Sequence, residues 1–448
     1  MLAHAIALGA RNQKSQKDLE IETTNYLRSK TMFQPAKLDL NQILRRFRDS
    51  NSIAHAPEGK ASLNFGRAVS LGVLLAILFM AVGATLAFGV PTVYKKGTTV
   101  KAPGIQPGYV IANLPDGQTY AIDVQGNFAK TWASPIAGTT LGYTRPLDNK
   151  NLLAFITKTG TNQAAEFTQA GAVVWQYTET GDRTYHHDLT RLPNGNTLIV
   201  CSRQVTYLNI SDKVLTDDCL LEVDTNGNTV FTWQTADHFD EFGFTDSDKV
   251  LISNGAGDWA HMNSAEIVPA NANSGDSRFK PGNIIVSYRY LNMVIIVDPS
   301  TGSIVWKADN ITIGQHDAIM IKNGLPGAGN IMIFDNGQNN VANHPGVVPG
   351  RLNSRIVELN PLDLSIVSSY DASKSGVPIW MFLGSFVGSS QKLPNGNILI
   401  NEGPDGRIFE VTAAGALVWE WVNGVANAVT KSTLVYRAEK VALNWLQP

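Results

Sequence analysis

The sequence predicts an all-β protein, a six-bladed β-propeller of four-stranded antiparallel blades, preceded by a cytoplasmic helical arm and one transmembrane helix. Three observations carry that prediction. A Leu-Pro-Asn-Gly-Asn turn recurs at 192–196 and 393–397, each time between apolar runs. The 39 glycines and nine tryptophans, with only 17% charged residues, suit a turn-rich sheet protein. Finally, the uncharged run AVSLGVLLAILFMAVGATLAFGV at 68–90 is long enough to cross a hydrocarbon core of about 30 Å.

The expected order of parts is an arm over 1–67, a signal-anchor span over 68–92 and a propeller over 93–448. Residues 1–67 hold eleven Lys and Arg against six Asp and Glu. Positive-inside counting therefore puts the arm in the cytoplasm and the propeller in the periplasm, extracellular space or a lumen. Within the arm, Leu38, Leu40, Ile43, Leu44 and Phe47 fall at helical spacing among Arg45, Arg46 and Arg48. That pattern suits an interfacial helix on an anionic leaflet, or a partner-docking helix in a membrane complex.

From residue 100 onward one unit recurs six times. An apolar run precedes a Gly turn, a second and third run follow, and a fourth carries a Trp. Copies end at Trp132, Trp175, Trp233, Trp306 and Trp421, while the copy before 370 lacks its Trp. The Asn-Gly and Asp-Gly pairs favour type I′ hairpins, giving four strands per unit. Four-stranded units repeated around an axis make a propeller. A β-solenoid is the alternative, with shorter and more uniform repeats.

Cys201 closes one apolar run and Cys219 opens the next, so neighbouring strands would let them form a disulfide in an oxidising compartment. Asn209 and Asn310 begin glycosylation sequons that matter only in a eukaryotic host. The net charge of −2 gives no basic surface for nucleic acid. No dinucleotide fingerprint, phosphate loop, serine elbow or CxxC pair occurs, and no cofactor is expected.

Only six histidines follow the apolar run. Aligning units on their turns puts His187, His261 and His316 at one position, near the mouth of the central channel. Asp188 and Asp317 follow two of them and could orient the rings or cap turns. Three imidazoles would also suit Zn or Cu, although the spacing reflects blade geometry and not a local ligand motif.

The stretches DWAHMNS, GQHDA, IFDNG, SYRYLN and LPNGNILINEGPDGRIFEV together resemble the arylsulfotransferase family of six-bladed propellers. The likeness runs from about residue 91 to 423. It implies transfer of a sulfuryl group from an aryl sulfate to a phenol through a sulfohistidine. By motif, His261 and His316 match two site histidines, with sulfuryl binding and proton transfer as implied roles, and His187 is a further member.

Two departures stand out. The arginine expected beyond FDNG is replaced by Gln338 to Asn340, leaving Arg289, Arg351 and Arg355 as substitutes out of register. The covalent histidine expected in the last blade is also missing. Gly388 stands at that position, and His344 is the only late histidine. The alternative to an enzyme is a non-catalytic propeller serving as an extracytoplasmic subunit beside integral-membrane partners.

Overall fold

This computed structural model describes residues 95–158, 161–255, 257–339, 344–346 and 348–446. The arm of 1–67 and the span of 68–92 lie outside the described residues. Among the described residues no helix is long and apolar enough to cross a membrane.

The described strands build six sheets. Strand β1 (Gly97–Lys101) comes first but joins the last blade. Blade I contains β2 (Tyr109–Asn113), β3 (Thr119–Ile122) and β4 (Phe128–Trp132). Blade II is β5 (Thr140–Pro146), β6 (Leu152–Lys158), β7 (Thr161–Phe167) and β8 (Val173–Thr178). Blade III is β9 (Thr184–Arg191), β10 (Thr197–Val205), β11 (Leu215–Val223) and β12 (Thr229–Gln234). Two short helices, α1 (Phe239–Phe242) and α2 (Asp246–Gly255), and strand β13 (Gly257–Asp258) follow it; β13 pairs parallel with β11.

Blade IV is β14 (Met262–Ile267), β15 (Ile284–Tyr288), β16 (Met293–Val297) and β17 (Ile304–Asp309). Blade V is β18 (His316–Met320), β19 (Ile331–Asp335), β20 (Arg355–Leu359) and β21 (Ile366–Tyr370). Blade VI is β22 (Ser389–Lys392), β23 (Ile398–Glu402), β24 (Arg407–Val411) and β25 (Leu417–Val422), with β1 on its outer edge. Strand β26 (Ala438–Val441) returns to blade I and pairs with β2 as its innermost strand. The ring is thus closed from both ends of the described chain, a feature the repeat pattern does not reveal.

Six apolar clusters, one between each pair of adjacent blades, make up the core. Middle strands are covered on both faces, so β15, β16, β23 and β24 are buried throughout, although only β16 is wholly apolar in sequence. Outer strands such as β4 and β12 are exposed until they reach their Trp.

Those tryptophans hold the blades together. Each indole N–H donates to a carbonyl in the outer hairpin of the next blade: Trp132 to Gln169, Trp175 to Asp224, Trp233 to Gly302, Trp306 to Pro361 and Trp419 to Val124. In the last blade the donor is Trp419 and not Trp421. Blade V, which lacks the Trp, sends Ser375 Oγ to Gly415 O at 2.7 Å.

The hairpins differ from the type I′ expectation. Gly195 N–H donates to Leu192 O, Leu192 N–H donates to Asn196 O, and Gly195 alone is left-handed at φ 87°. Asn194 is not left-handed, so the loop is a type I turn completed by a glycine bulge. The same bonding recurs at 393–397, and in blade II Lys150 takes the glycine's place at φ 69°. Cys201 and Cys219 face each other across β10 and β11 with Cα atoms 4.8 Å apart, joined as a disulfide.

Candidate active site at the channel mouth

The innermost strand of each blade, β26 in blade I and the first strand in the others, lines the axis, and several carry a register slip near one level. The slips fall opposite residues 142–143 in β5, 186–188 in β9, 263 in β14 and 317–318 in β18. Here the backbone is left-handed at His187 (φ 59°), His261 (58°), Asp317 (52°) and Val387 (51°). Such angles are unfavourable for residues with a Cβ and mark positions that the surrounding fold over-determines.

Just below the slips, each inner strand is tied to the next. Asp188 accepts from Ala265 N, Ser264 Oγ from Ala318 N, Asp317 from Ser390 N, and Ser389 Oγ from Ala438 N. Arg437 donates to Asp188 at 2.8 Å and to Asn263 O at 2.7 Å, and its guanidinium lies 3.6 Å from Asp317. Arg145 also reaches Asp188, at 3.2 Å. Both aspartates therefore hold blades and arginines together; neither hydrogen-bonds a histidine. Counting from these ties, Asn263 and not His261 shares the level of His187, His316 and Gly388. His261 enters the mouth from two residues earlier.

The rings nevertheless converge. His187 and His261 have centroids 4.8 Å apart, His261 stacks on Tyr290 at 4.5 Å, and Tyr290 lies 4.8 Å from His344. Tyr436 closes on His187 at 5.9 Å. His261 Nδ1 bonds Asp258 Oδ2, an acceptor, so Nδ1 carries the proton and Nε2 presents a lone pair. His187 Nδ1 and His186 Nδ1 are 2.7 Å apart and share one proton, while His186 Nε2 lies 3.2 Å from Asp218. Burial holds the His187 ring well below the usual histidine range, and the Arg437 guanidinium pushes it the same way.

His316 is differently placed. Val387 N–H donates to its Nε2 at 3.2 Å and its Nδ1–H donates to Asn336 Oδ1 at 2.7 Å. Asn336 in turn donates to Gly384 O and Val387 O. Both nitrogens are occupied, so the ring is a neutral strut between blades V and VI. Burial, and then the Arg289 charge, hold its pKa well below the ordinary value.

His344 is buried, with Nδ1 on Trp259 O at 3.0 Å. Of the substitute arginines, Arg289 reaches the mouth, its guanidinium 5.2 Å from the Tyr290 ring centroid and its buried Nε without a hydrogen-bond partner. Arg355 donates to Asp335 Oδ2 at 2.7 Å and Arg351 pairs with Asp335 Oδ1 at 2.6 Å. In the expected arginine slot, Gln338 bonds Arg351 O and Asn339 bonds Tyr290 O and Asn292.

Gly388 explains the missing last-blade histidine. A Cβ there would come within 2.8 Å of the Phe334 ring, so the place of a side chain is already filled. Among the described residues no group of three or more His, Cys, Asp or Glu is arranged to hold a metal ion.

Sequence reasoning missed Asp258, His186, Tyr290, Tyr436 and Arg437. Asp258 stands three residues before His261 and Tyr290 directly after Arg289, within the quoted DWAHMNS and SYRYLN, and His186 stands beside His187. Tyr436 and Arg437 lie beyond the last recognisable repeat and carry no local signal.

A family model described as Arylsulfotransferase (ASST) matches residues 146–424. No curated protein matches. Among solved structures the chain is similar to a protein of unknown function from Bacteroides caccae, with 14% identity and a TM-score of 0.48, covering 75% of this chain and 99% of that one. It is also similar to the WD40 β-propeller domain of Doa1 (11%, 0.40, 75% and 85%) and to streptogramin B lyase (13%, 0.40, 75% and 86%).

Proposed function

The chain belongs to the arylsulfotransferase family, and from that premise we propose that its channel mouth moves a sulfuryl group from an aryl sulfate to a phenol, with His261 as the nucleophile. The observation that carries this reading is the pair of rings 4.8 Å apart, His261 backed by Asp258 and His187 backed by His186. Opposed tautomers fit the two halves of the reaction. His261 offers a bare Nε2. With His186 as the donor in the shared Nδ1 bond, His187 carries its proton on Nε2.

In the first half, the His261 Nε2 lone pair forms a bond to sulfur as the sulfur–aryl oxygen bond breaks. The departing phenolate takes the Nε2 proton of His187 while the shared Nδ1 proton passes from His186 to His187; the proton held between His186 Nε2 and Asp218 stays with His186, so both rings end neutral. Asp258 stabilises the positive charge on the sulfated ring through its Nδ1–H. Arg289, whose buried Nε has no hydrogen-bond partner, binds the sulfuryl oxygens. In the second half the acceptor phenol gives its proton to His187 Nε2, its oxygen bonds sulfur, and the sulfur–nitrogen bond breaks to release His261.

We extend the proposal to a membrane-anchored protein, on the strength of the uncharged run at 68–90. A second reading, a non-catalytic propeller within a membrane complex, draws on Gly388 and on the occupied nitrogens of His316.

The test is turnover by the full-length chain of aryl sulfates with graded leaving groups, given a phenol acceptor. His261→Asn should abolish transfer. His187→Asn should cost about 10²–10⁴-fold with poor leaving groups and less with good ones, as expected for lost general-acid help. Asp258→Asn should lower kcat with little change in KM. Turnover indifferent to His261→Asn would overturn the assignment, and folded protein without turnover would favour the second reading.

A further inference from the structure

We propose that the end of the channel opposite the histidines is a second ligand site, built for a small one-ring organic anion. The inner strands run in one direction around the axis, and the histidines sit at their starts. Beyond the level of Asp188, Arg437 and Asp317 the channel opens into a cavity of about 240 Å³, lined from blades I, II, IV, V and VI. That is below the roughly 300–1,000 Å³ of pockets for larger ligands, which limits the occupant to about one ring. Ile267, Ile319, Ile321 and Leu325 give it an apolar wall.

The polar lining decides the sign of the ligand. Its three carboxylates are already engaged. Glu266 takes both terminal nitrogens of Arg145, Asp317 accepts from Ser390 N beside Arg437, and Glu439 accepts from the Tyr143 hydroxyl at 2.9 Å. Of the four cations, Lys392 pairs with Glu358 at 3.0 Å. What is left over is donor capacity. Ser390 Oγ is buried with no hydrogen-bond partner, as is Arg145 Nε, and the exposed Lys322 makes no ion pair among the described residues. A buried hydroxyl without a partner is costly, and an entering acceptor would satisfy it. A cationic ring offers these donors no acceptor, and an uncharged one leaves the Lys322 charge unanswered.

The site is independent of the sulfuryl-transfer reading and is tested by binding alone. Benzoate, benzyl alcohol and benzylammonium would be titrated into the full-length chain and followed by ligand-observed NMR. Benzoate should bind at least about tenfold more tightly than the other two. Lys322→Ala, at an exposed position, and Ser390→Ala should each weaken benzoate several-fold, about the loss of one charge-assisted or neutral hydrogen bond. His261→Asn should leave benzoate binding unchanged. Equal binding of all three probes would overturn the proposal, as would no benzoate binding at millimolar concentration. So would binding lost in His261→Asn but kept in Lys322→Ala, which would place the anion at the histidine mouth.

Discussion

Both ring nitrogens of His316 are bonded within the protein, one to the Val387 amide and one to Asn336, so a second proton would break the first bond. Burial depresses its folded pKa. The unfolded chain therefore binds a proton below about pH 6.5 that the native state refuses, and His316's contribution to stability is complete above that pH and lost below it. His316→Gln should cost about 1–3 kcal/mol at pH 8 by orphaning Val387 N–H or Asn336. The gap to wild type should then narrow below about pH 6.5, by at most about 1.4 kcal/mol per pH unit. Urea unfolding of both proteins from pH 8 to 5 measures this, and a gap that widens on acidification would contradict the strut role. His187 and His316 were legible at one level because turn alignment fixes position along a strand, whereas His261 enters from two residues earlier and reaches them only through its backbone path. What each nitrogen bonds was not legible, because Val387, Asn336 and Asp258 are brought there by other loops and blades.

The repeating element is the blade, and its outer strand ends on a donor for the next blade. Trp306 illustrates the arrangement: it is buried between blades IV and V and its indole N–H reaches Pro361 O at 2.8 Å. Trp306→Phe keeps most of the apolar surface but orphans that carbonyl, so it should lower stability by about 1–3 kcal/mol and leave sulfuryl transfer unchanged. Denaturant titration together with the transfer assay checks both halves of the expectation. The Trp spacing was visible in the sequence because it recurs. The substitution of Ser375 in blade V was not, since a serine after a short helical turn has no counterpart in the other copies. The hairpins show the same limit. Asn-Gly marks a turn, yet the bond from Gly195 to Leu192 selects type I with a bulge over type I′.

For the whole ring, closure depends on segments outside the repeat pattern. Strand β26 supplies the inner strand of blade I, and Arg437 just before it binds Asp188 of blade III and faces Asp317 of blade V. Ending the chain after Val435 removes all of these at once and exposes the edge of β2. The shortened protein should lose its cooperative unfolding transition and elute as an expanded or associated species. Circular dichroism melting and size-exclusion chromatography give the readout, and a compact protein with an unchanged transition would show that blade I closes without β26.

The sequence by itself determined the number of blades, the four-stranded repeat, the placement of His187 and His316 near the channel mouth and the family of the fold. All of these follow from local periodicity, repeated turns and motif order. Only the tertiary structure decided which histidines are free to react, that Phe334 fills the place of a last-blade side chain at Gly388, and that the C-terminal strand closes the ring. The physical reason is common to all three. Each depends on contacts between residues tens to hundreds of positions apart, which burial and hydrogen bonding bring together and which no local pattern records.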